Sequence, residues 1–210
     1  MTGIVPLEQA FITAATRNGQ LHIVEDCIAR GVDVDMTFGD KQETALVAVA
    51  SVLWENRRDF MKLLLDAGAN PNGTDMDGKT ALHRIAYESR GHNADRNHAD
   101  FLIYRGARLD ARDSTGATPL HAAVTKCLQA NHMELVNYLL AKGADITARD
   151  NAGRTPLDIA EQGTGPSRVS LIYFIGEQAK KNEQHTARQR KAAIETLKTI
   201  RNTDKFKLKG

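Results

Sequence analysis

Two short motifs recur along this chain at nearly constant spacing, and the repetition constrains the fold more than any other feature. In the first motif, an apolar run ends in a Gly that a small or apolar residue follows. It occurs four times, 37 or 38 residues apart, at Gly31, Gly68, Gly106 and Gly143. In the second motif, Thr precedes Ala-Leu or Pro-Leu. It also occurs four times, 36 to 38 residues apart, at Thr44, Thr80, Thr118 and Thr155. Two motifs that recur in phase indicate an internal structural repeat.

The chemistry of one unit predicts a turn followed by two helices. Asp113-Ser-Thr-Gly116 is typical of a turn, because Asp accepts hydrogen bonds from nearby amides and Gly adopts positive φ. Thr118 before Pro is typical of a helix start. A second apolar stripe with helical period lies between Met133 and Lys142. Gly143 then ends that helix. Two short helices cannot bury their apolar faces alone, so the units are expected to stack.

These units resemble the ankyrin repeat family. The resemblance is carried by Thr118-Pro-Leu-His-Ala-Ala123 and Leu135-Val-Asn-Tyr-Leu-Leu-Ala-Lys-Gly-Ala-Asp145. It implies an all-α ankyrin-repeat solenoid of about five helix–turn–helix units, with short β-turn or hairpin tips between units. The tail residues themselves predict a basic C-terminal helical extension, because 177–202 contains neither Pro nor Gly. The predicted repeat domain spans residues 1–176 and the tail spans residues 177–210. The predicted units lie at about 6–36, 40–73, 76–111, 114–148 and 151–176.

The units are longer than the common ankyrin length of about 33 residues. The distance from Gly to the next Thr stays at 12 or 13 residues, so the surplus lies between Thr and the following Gly. Three segments are predicted to hold it, at 52–58, 88–98 and 126–132. Longer helix–helix loops and longer inner helices explain the surplus equally well. The surplus is expected to enlarge one edge of the stack.

Charged residues are distributed unevenly along the chain. The 28 Lys and Arg nearly balance the 26 Asp and Glu overall, but residues 176–210 hold ten basic and four acidic side chains. The tail has several interpretations: a solvated helix that covers the last unit, docking to nucleic acid or acidic lipid, or a targeting or secretion signal. An aromatic content of 5% argues against a platform for stacking bases.

The compartment is predicted from what the sequence does not contain. No stretch approaches 18 apolar residues, the first residues do not form a secretory signal, and two cysteines give no disulfide framework. We therefore predict a cytoplasmic, monomeric protein. Export as an effector without a cleavable signal peptide stays open as an alternative. Cys27 occupies a core position of its unit, whereas Cys127 lies in the 126–132 segment, where a regulatory thiol is an alternative.

No catalytic, cofactor or metal site is predicted. In ankyrin repeats, the His after Thr-x-Leu ties the helix start to the neighbouring turn, which implies a structural role for His83 and His121. No nucleophile or acid recurs at a fixed offset from them, and a solenoid without a deep cleft is a poor enzyme scaffold. The cluster from His92 to His98 offers metal-ligand residue types. Its Asn, Gly and Arg neighbours favour a solvated loop instead.

The resemblance implies that this chain binds another protein on its turn tips and inner-helix surfaces. It would act as an adaptor or as an inhibitor, without catalysis. Trp54 has two interpretations, since it either packs under its loop or anchors a partner. The candidate partner-binding residues are Lys41, Gln42, Trp54, Met76, Asp77, Lys79, Tyr87, Glu88, Ser114, Thr115, Thr125, Lys126, Asn151 and Arg154. The alternative function is a regulator docked to nucleic acid or an acidic membrane through its basic tail.

Overall fold

Pairs of short helices alternate with tight turns along the part of the chain that the structure describes. The computed structural model describes residues 7–52, 56–91, 93–184 and 187. The helices are α1 (Leu7–Thr13, continued by a π-helical turn at Ala14–Asn18), α2 (Leu21–Ala29), α3 (Ala45–Ser51), α4 (Arg57–Asp66), α5 (Ala81–Glu88), α6 (Asn93–Tyr104), α7 (Pro119–Ala130), α8 (Glu134–Ala141), α9 (Pro156–Gln162) and α10 (168–184). Trp54, His92 and residues 188–210, for which the sequence made predictions, lie outside the described residues.

One small hairpin precedes the second helix pair. Its strands are β1 (Thr37–Phe38) and β2 (Glu43–Thr44), which pair antiparallel with Thr37 opposite Thr44. The next turn has an isolated antiparallel bridge between Thr74 and Thr80. Short hairpin-like tips between helix pairs agree with the expected architecture.

Each recurring Thr begins an inner helix. The Thr44 hydroxyl accepts a hydrogen bond from the Val47 amide at 3.4 Å and so caps α3. Thr155 and Asp158 form a reciprocal capping box at the start of α9, where the Asp158 carboxylate accepts from the Thr155 amide at 2.8 Å. These bonds satisfy amides that a helix start leaves without partners. The same Thr positions that repeat in the sequence therefore set where the inner helices begin.

The helices stack in two layers. Inner helices α3, α5, α7 and α9 pack one against the next, and the outer layer is joined by contacts of α2 with α4 and of α6 with α8. Small buried side chains such as Ala50, Ala86 and Ala123 let the inner helices approach closely. One hydrophobic core runs from Phe11 in α1 to Ile175 in α10. The predicted all-α repeat solenoid is thus confirmed.

The surplus residues take different forms in different units. In the fourth unit they lengthen the inner helix, because α7 has 12 residues whereas α5 has eight. Helix α7 stops at Asn131, whose φ of 60° places it in the left-handed region. In the third unit the outer helix α6 begins at Asn93 and also has 12 residues. The sequence left longer loops and longer inner helices open. The fourth unit has the longer inner helix, whereas the longer outer helix of the third unit was not among the predictions.

The start of α6 has one buried face, formed by Asp95 and His98, while Asn93, Ala94, Arg96 and Asn97 are exposed. Arg57 Nη2 lies 2.9 Å from Asp95 Oδ1 and 2.7 Å from His98 Nδ1, and all three residues are buried. The Asp95 carboxylate also accepts from the Arg90 amide at 2.9 Å. The prediction of a loop up to His98 is therefore wrong, because the chain is helical from Asn93 and the side chains of Asp95 and His98 are buried. An arginine from the preceding unit makes burial of this polar segment feasible, because it supplies the charge that the carboxylate needs.

Both cysteines are free and buried within the core. Cys127 lies inside α7 and faces the core, so burial raises the pKa of its thiol. A regulatory thiol needs exposure and a lowered pKa, and this environment provides neither. Across the residues that the structure describes, none of the helices has both the length and the apolar character needed to cross a membrane.

Candidate functional site

Three consecutive turns share one backbone design. In the turn before α7, Asp113 Oδ1 accepts hydrogen bonds from the amides of Thr115 at 2.9 Å and Ala117 at 3.0 Å. Asp75 and Asp150 bind the amides two and four residues ahead in the same way, at 2.8 to 2.9 Å. The carboxylates thus hold each turn in one conformation, and the side chains at its tip are presented in the same direction.

Neighbouring tips are joined by main-chain hydrogen bonds. The amide of Met76 donates to the Lys41 carbonyl at 2.8 Å, and the amide of Ser114 donates to the Asp77 carbonyl at 2.7 Å. The Asn151 amide donates to the Thr115 carbonyl at 2.8 Å. The tips therefore form one ridge with fixed spacing, which we call the tip ridge.

The close approach of two tips requires a glycine. Gly116 has a φ of +75°, and a Cβ atom built on it would lie 2.9 Å from the Asn151 amide nitrogen. An L side chain at this position would be strained and would also collide with the neighbouring turn. The Asp-x-x-Gly pattern of the sequence is thus explained by the spacing between units.

Two histidines connect the inner helices to the next turn. His83 Nδ1 accepts from the Thr80 amide at 3.2 Å, and Nε2 lies 3.0 Å from the Ala117 carbonyl. His121 repeats this arrangement, with Nε2 at 3.1 Å from the Arg154 carbonyl. Since Nδ1 accepts, the proton resides on Nε2 and each ring is neutral. Burial lowers the pKa of both rings. The predicted structural role of these histidines is confirmed.

A groove of about 360 Å³ lies between the tip ridge and the inner helices of the third to fifth units. Its walls come from the turns before α5, α7 and α9 and from the helices α5, α7 and α9 themselves. It is lined by Lys79, His83, Arg84, Tyr87, Asp113, Thr115, Ala117, His121, Ala122, Thr125, Asp150, Arg154 and Ile159. We call this cavity the inner groove.

Most charges around the inner groove are paired within the chain. Arg84 Nη2 donates to the Asp75 carboxylate, and both side chains are buried. Arg154 binds Asp150 through Nε at 2.9 Å and Nη2 at 2.8 Å. Such pairs cancel charge locally and leave the groove with few free ionic groups.

The predicted candidates fall into three places. Exposed on the tip ridge are Lys41, Gln42, Met76, Asp77, Ser114, Thr115, Asn151 and Arg154. Five of the candidates line the inner groove, namely Lys79, Tyr87, Thr115, Thr125 and Arg154. Lys126 lies beside it, with Nζ 5.8 Å from the centre of the Tyr87 ring. Glu88 is half-buried at the last position of α5 and does not line the groove.

Sequence reasoning missed several groove residues. Arg84, Asp113, Asp150 and the two histidines line the groove but were not among the predicted partner-binding residues. For Arg84 the sequence did carry a signal, because it stands four residues after Thr80, where the other units have Ala48, Ala122 and Ile159. A polar residue at a position that is otherwise apolar is a candidate for pairing or binding.

The inner groove suits binding more than catalysis. Both ring nitrogens of His83 and of His121 are occupied by hydrogen bonds that hold the repeat together. Neither ring can act as a general base without breaking those bonds. Within residues 7–52, 56–91 and 93–184, no group of three or more His, Cys, Asp or Glu is arranged to hold a metal ion.

The chain is similar to known repeat proteins. It is 30% identical over 132 residues to an ankyrin repeat protein of Fowlpox virus (strain NVSL), which is 59% of this chain and 37% of the viral protein. It is 40% identical over 88 residues to Protein PhlB of Serratia liquefaciens, which is 41% of this chain and 35% of that protein. The Neurogenic locus Notch protein of Drosophila melanogaster is 31% identical over 115 residues, covering 54% of this chain and 4% of Notch. The chain thus spans little more than a third of these relatives at most.

Family models match the repeats directly. A model of three ankyrin repeats matches residues 11–113, and a model of the single ankyrin repeat matches residues 115–151. Together they cover more than half of the chain and include the tip ridge from Lys41 to Asn151. Helices α2 to α8, the capping Thr44, Thr80 and Thr118 and both bridging histidines lie in the matched residues, whereas Thr155 and α9 lie beyond them. The chain therefore belongs to the ankyrin repeat family.

Proposed function

We propose that this protein is a non-enzymatic binding module that holds a partner protein against the tip ridge and the inner groove, as an adaptor or as an inhibitor. Ankyrin repeats are generally protein–protein interaction modules. The observation that carries the proposal is the rigid ridge of exposed side chains beside a groove. Met76 is 65% exposed on the ridge and Tyr87 is 47% exposed in the groove.

The size of this surface supports a specific contact. A standard interface takes about 800 Å² from each partner, with an aromatic or Arg side chain near its centre. The tip ridge spans four turns, from Lys41 to Asn151, and Tyr87 lies beside its middle. Because the turns are hydrogen-bonded to one another, little order has to be gained on binding, which favours affinity.

Charge supports a partner with a basic surface. Residues 1–175 hold 22 acidic and 18 basic side chains. An acidic surface attracts a basic partner and raises its association rate at low salt. We further propose that the protein works as a monomer inside the cell, where the free thiols of Cys27 and Cys127 stay reduced.

A matched pair of tyrosine variants tests the proposal. Tyr87 lies on an inner helix and lines the groove, whereas Tyr104 lies at the end of the outer helix α6 and is 85% exposed. The full chain and the variants Tyr87→Ser and Tyr104→Ser are used for affinity purification from native lysate with quantitative mass spectrometry. We expect a specific protein that the full chain and Tyr104→Ser retain and that Tyr87→Ser retains at least about tenfold less.

A truncation separates the tail from the groove. If the retained protein is unaffected by Tyr87→Ser but is lost when residues 185–210 are removed, the groove is not the binding surface. A steep loss of that binding with added salt would then identify the basic tail as the docking element.

A further inference from the structure

The three equivalent turn aspartates differ in how their charge is compensated. Asp75, Asp113 and Asp150 each stand five residues before the Thr that begins an inner helix. Asp75 receives a hydrogen bond from Arg84, and Asp150 receives two from Arg154. No ion pair joins Asp113 to any Lys or Arg among the residues that the structure describes.

The difference follows from two alanines. Arg84 stands four residues after its Thr, and the fourth unit has Ala122 at that position. Arg154 stands directly before its Thr, and the fourth unit has Ala117 there. The fourth unit therefore lacks both kinds of internal cation. Ala117, Ala122 and Asp113 all line the inner groove, so the space that an arginine would fill forms part of the cavity.

The two oxygens of the Asp113 carboxylate differ, because Oδ1 accepts three hydrogen bonds whereas Oδ2 has neither a hydrogen bond nor an ion pair within the described part of the chain. Oδ1 accepts from the amide and the hydroxyl of Thr115 and from the Ala117 amide. The preceding residue, Arg112, donates instead to the carbonyls of Gly116 and Arg149. Asp113 is half-buried, so water compensates its charge only in part. An external cation that reached Oδ2 would complete the pattern found in the units on either side.

We propose that the inner groove is the receptor for an arginine side chain of the partner protein, with the guanidinium paired to Asp113. This inference rests on the proposed function and specifies its chemistry. Arginine fits better than lysine because a planar guanidinium stacks on aromatic rings, and the rings of Tyr87 and His121 line the same cavity. The volume of about 360 Å³ is large enough for one such side chain. The acidic balance of residues 1–175 acts in the same direction.

Nuclear magnetic resonance with a small probe tests the pairing directly. The full chain, labelled with ¹⁵N, is titrated with N-acetyl-arginine methylamide, which has no terminal charges. We expect saturable shifts of the Thr115 and Ala117 amides. Asp113→Asn keeps the acceptor oxygen of the turn but removes the charge. We expect this variant to bind the probe with an affinity at least about tenfold lower. Glu25→Gln, which removes an exposed charge on α2, is the control and should leave the titration unchanged.

A second variant fills the groove from within. Ala122→Arg places a guanidinium where Arg84 stands in the third unit, so it supplies Asp113 with an internal partner. We expect it to weaken probe binding at least about tenfold while leaving the circular dichroism spectrum unchanged. Ala122→Gln adds a side chain of intermediate length without charge and should keep most of the binding.

Three outcomes overturn the inference. The first is a titration without saturation, and the second is equal binding to the full chain and to Asp113→Asn. The third is equal binding of N-acetyl-lysine methylamide, which would exclude the preference for a guanidinium.

The proposed function is judged separately. A partner lost by Tyr87→Ser but retained by Asp113→Asn and Ala122→Arg would remove this inference and leave the binding surface in place. A partner retained by all three variants would remove both.

Discussion

Neutral histidines link consecutive repeats at the scale of single residues. His83 and His121 each donate from Nε2 to a carbonyl of the next turn while Nδ1 accepts from the capping Thr. A third histidine, His98, has Nδ1 2.7 Å from Arg57 Nη2. Burial lowers the pKa of all three rings, and that of His98 to about 4. Each ring must stay unprotonated for its contact to hold.

These shifts predict that the protein loses stability in mild acid. The unfolded chain takes up protons near pH 6.5 and the folded chain at lower pH, so the unfolded state binds more protons as pH falls below 6.5. The stabilisation by the neutral histidines is fully present above pH 6.5. It is lost as the pH falls from 6.5 toward the pKa that each ring has in the folded chain. Because the pKa of His98 is about 4 in the folded chain, this residue alone should lower the free energy of unfolding by about 2 kcal/mol between pH 7 and pH 5. Urea denaturation at the two pH values measures the difference.

Two variants identify the source of this pH dependence. His98→Gln keeps an acceptor for Arg57 but does not titrate, and it should remove a large part of the change in unfolding free energy. His22→Gln alters an exposed histidine and should leave the change as it is. Ordinary carboxyl groups remain largely ionised at pH 5, so they contribute little to the difference in unfolding free energy between pH 7 and pH 5. An unfolding free energy that is independent of pH in this window would contradict the assignment.

The helix elements are held together by contacts that cross from one unit to the next. Arg57 at the start of α4 binds Asp95 at the start of α6, with side chains 3% and 6% exposed. The same guanidinium donates to the carbonyls of Ala50 and Val52 at 3.3 Å. One residue thus joins the end of α3, the start of α4 and the start of α6. Arg57 thereby contacts Val52 in the second unit and both Asp95 and His98 in the longer segment of the third unit.

Breaking this buried pair should cost far more than breaking an exposed one. Asp95→Ala leaves the Arg57 charge buried without a partner, and we expect a loss of about 3–5 kcal/mol in unfolding free energy. Asp26→Ala breaks the exposed pair of Asp26 with Arg30 and should cost about 1 kcal/mol or less. Chemical denaturation of both variants measures these costs.

A double substitution separates the pair from its surroundings. Arg57→Met combined with Asp95→Leu removes both charges together, so it should be less destabilised than Asp95→Ala alone. If Asp95→Ala costs no more than Asp26→Ala, the ion pair does not hold the start of α6.

Repetition determines which of these features the sequence could predict. The capping Thr, the bridging His and the turn Asp recur at fixed offsets, so their roles follow from the family pattern and from simple hydrogen-bond chemistry. Counted from the following Gly, Arg57 and Asp95 occupy the same position with opposite charges, and Arg84 stands where the other units have Ala or Ile. Their pairing joins residues nine to 38 positions apart and depends on how neighbouring helices face each other. A segment rich in Asn, Asp and Arg therefore gave the pattern of a solvated loop, although it forms the start of a helix with Asp95 and His98 buried.

At the scale of the whole molecule, each unit is stabilised by its neighbours. The inner helices pack in series, α3 against α5, α5 against α7 and α7 against α9. Phe11 closes the core at one end, and Leu171 in α10 closes it at the other. Stability in such an array is close to a sum of unit terms and nearest-neighbour interfaces. Damage at one end is therefore expected to stay near that end.

Hydrogen exchange of two end variants tests this locality. Leu171 and Phe11 are both 0% exposed, so Leu171→Ala and Phe11→Ala each remove a large core side chain at a cost of about 2–5 kcal/mol. Mass spectrometry of peptides at neutral pH should show faster exchange in α9 and α10 for Leu171→Ala, and in α1 and α2 for Phe11→Ala. Exchange in α5, which carries Tyr87, should stay close to that of the unaltered chain in both. Faster exchange spread evenly over all helices would instead mean that the protein unfolds as one cooperative unit, and the groove would then depend on every repeat equally.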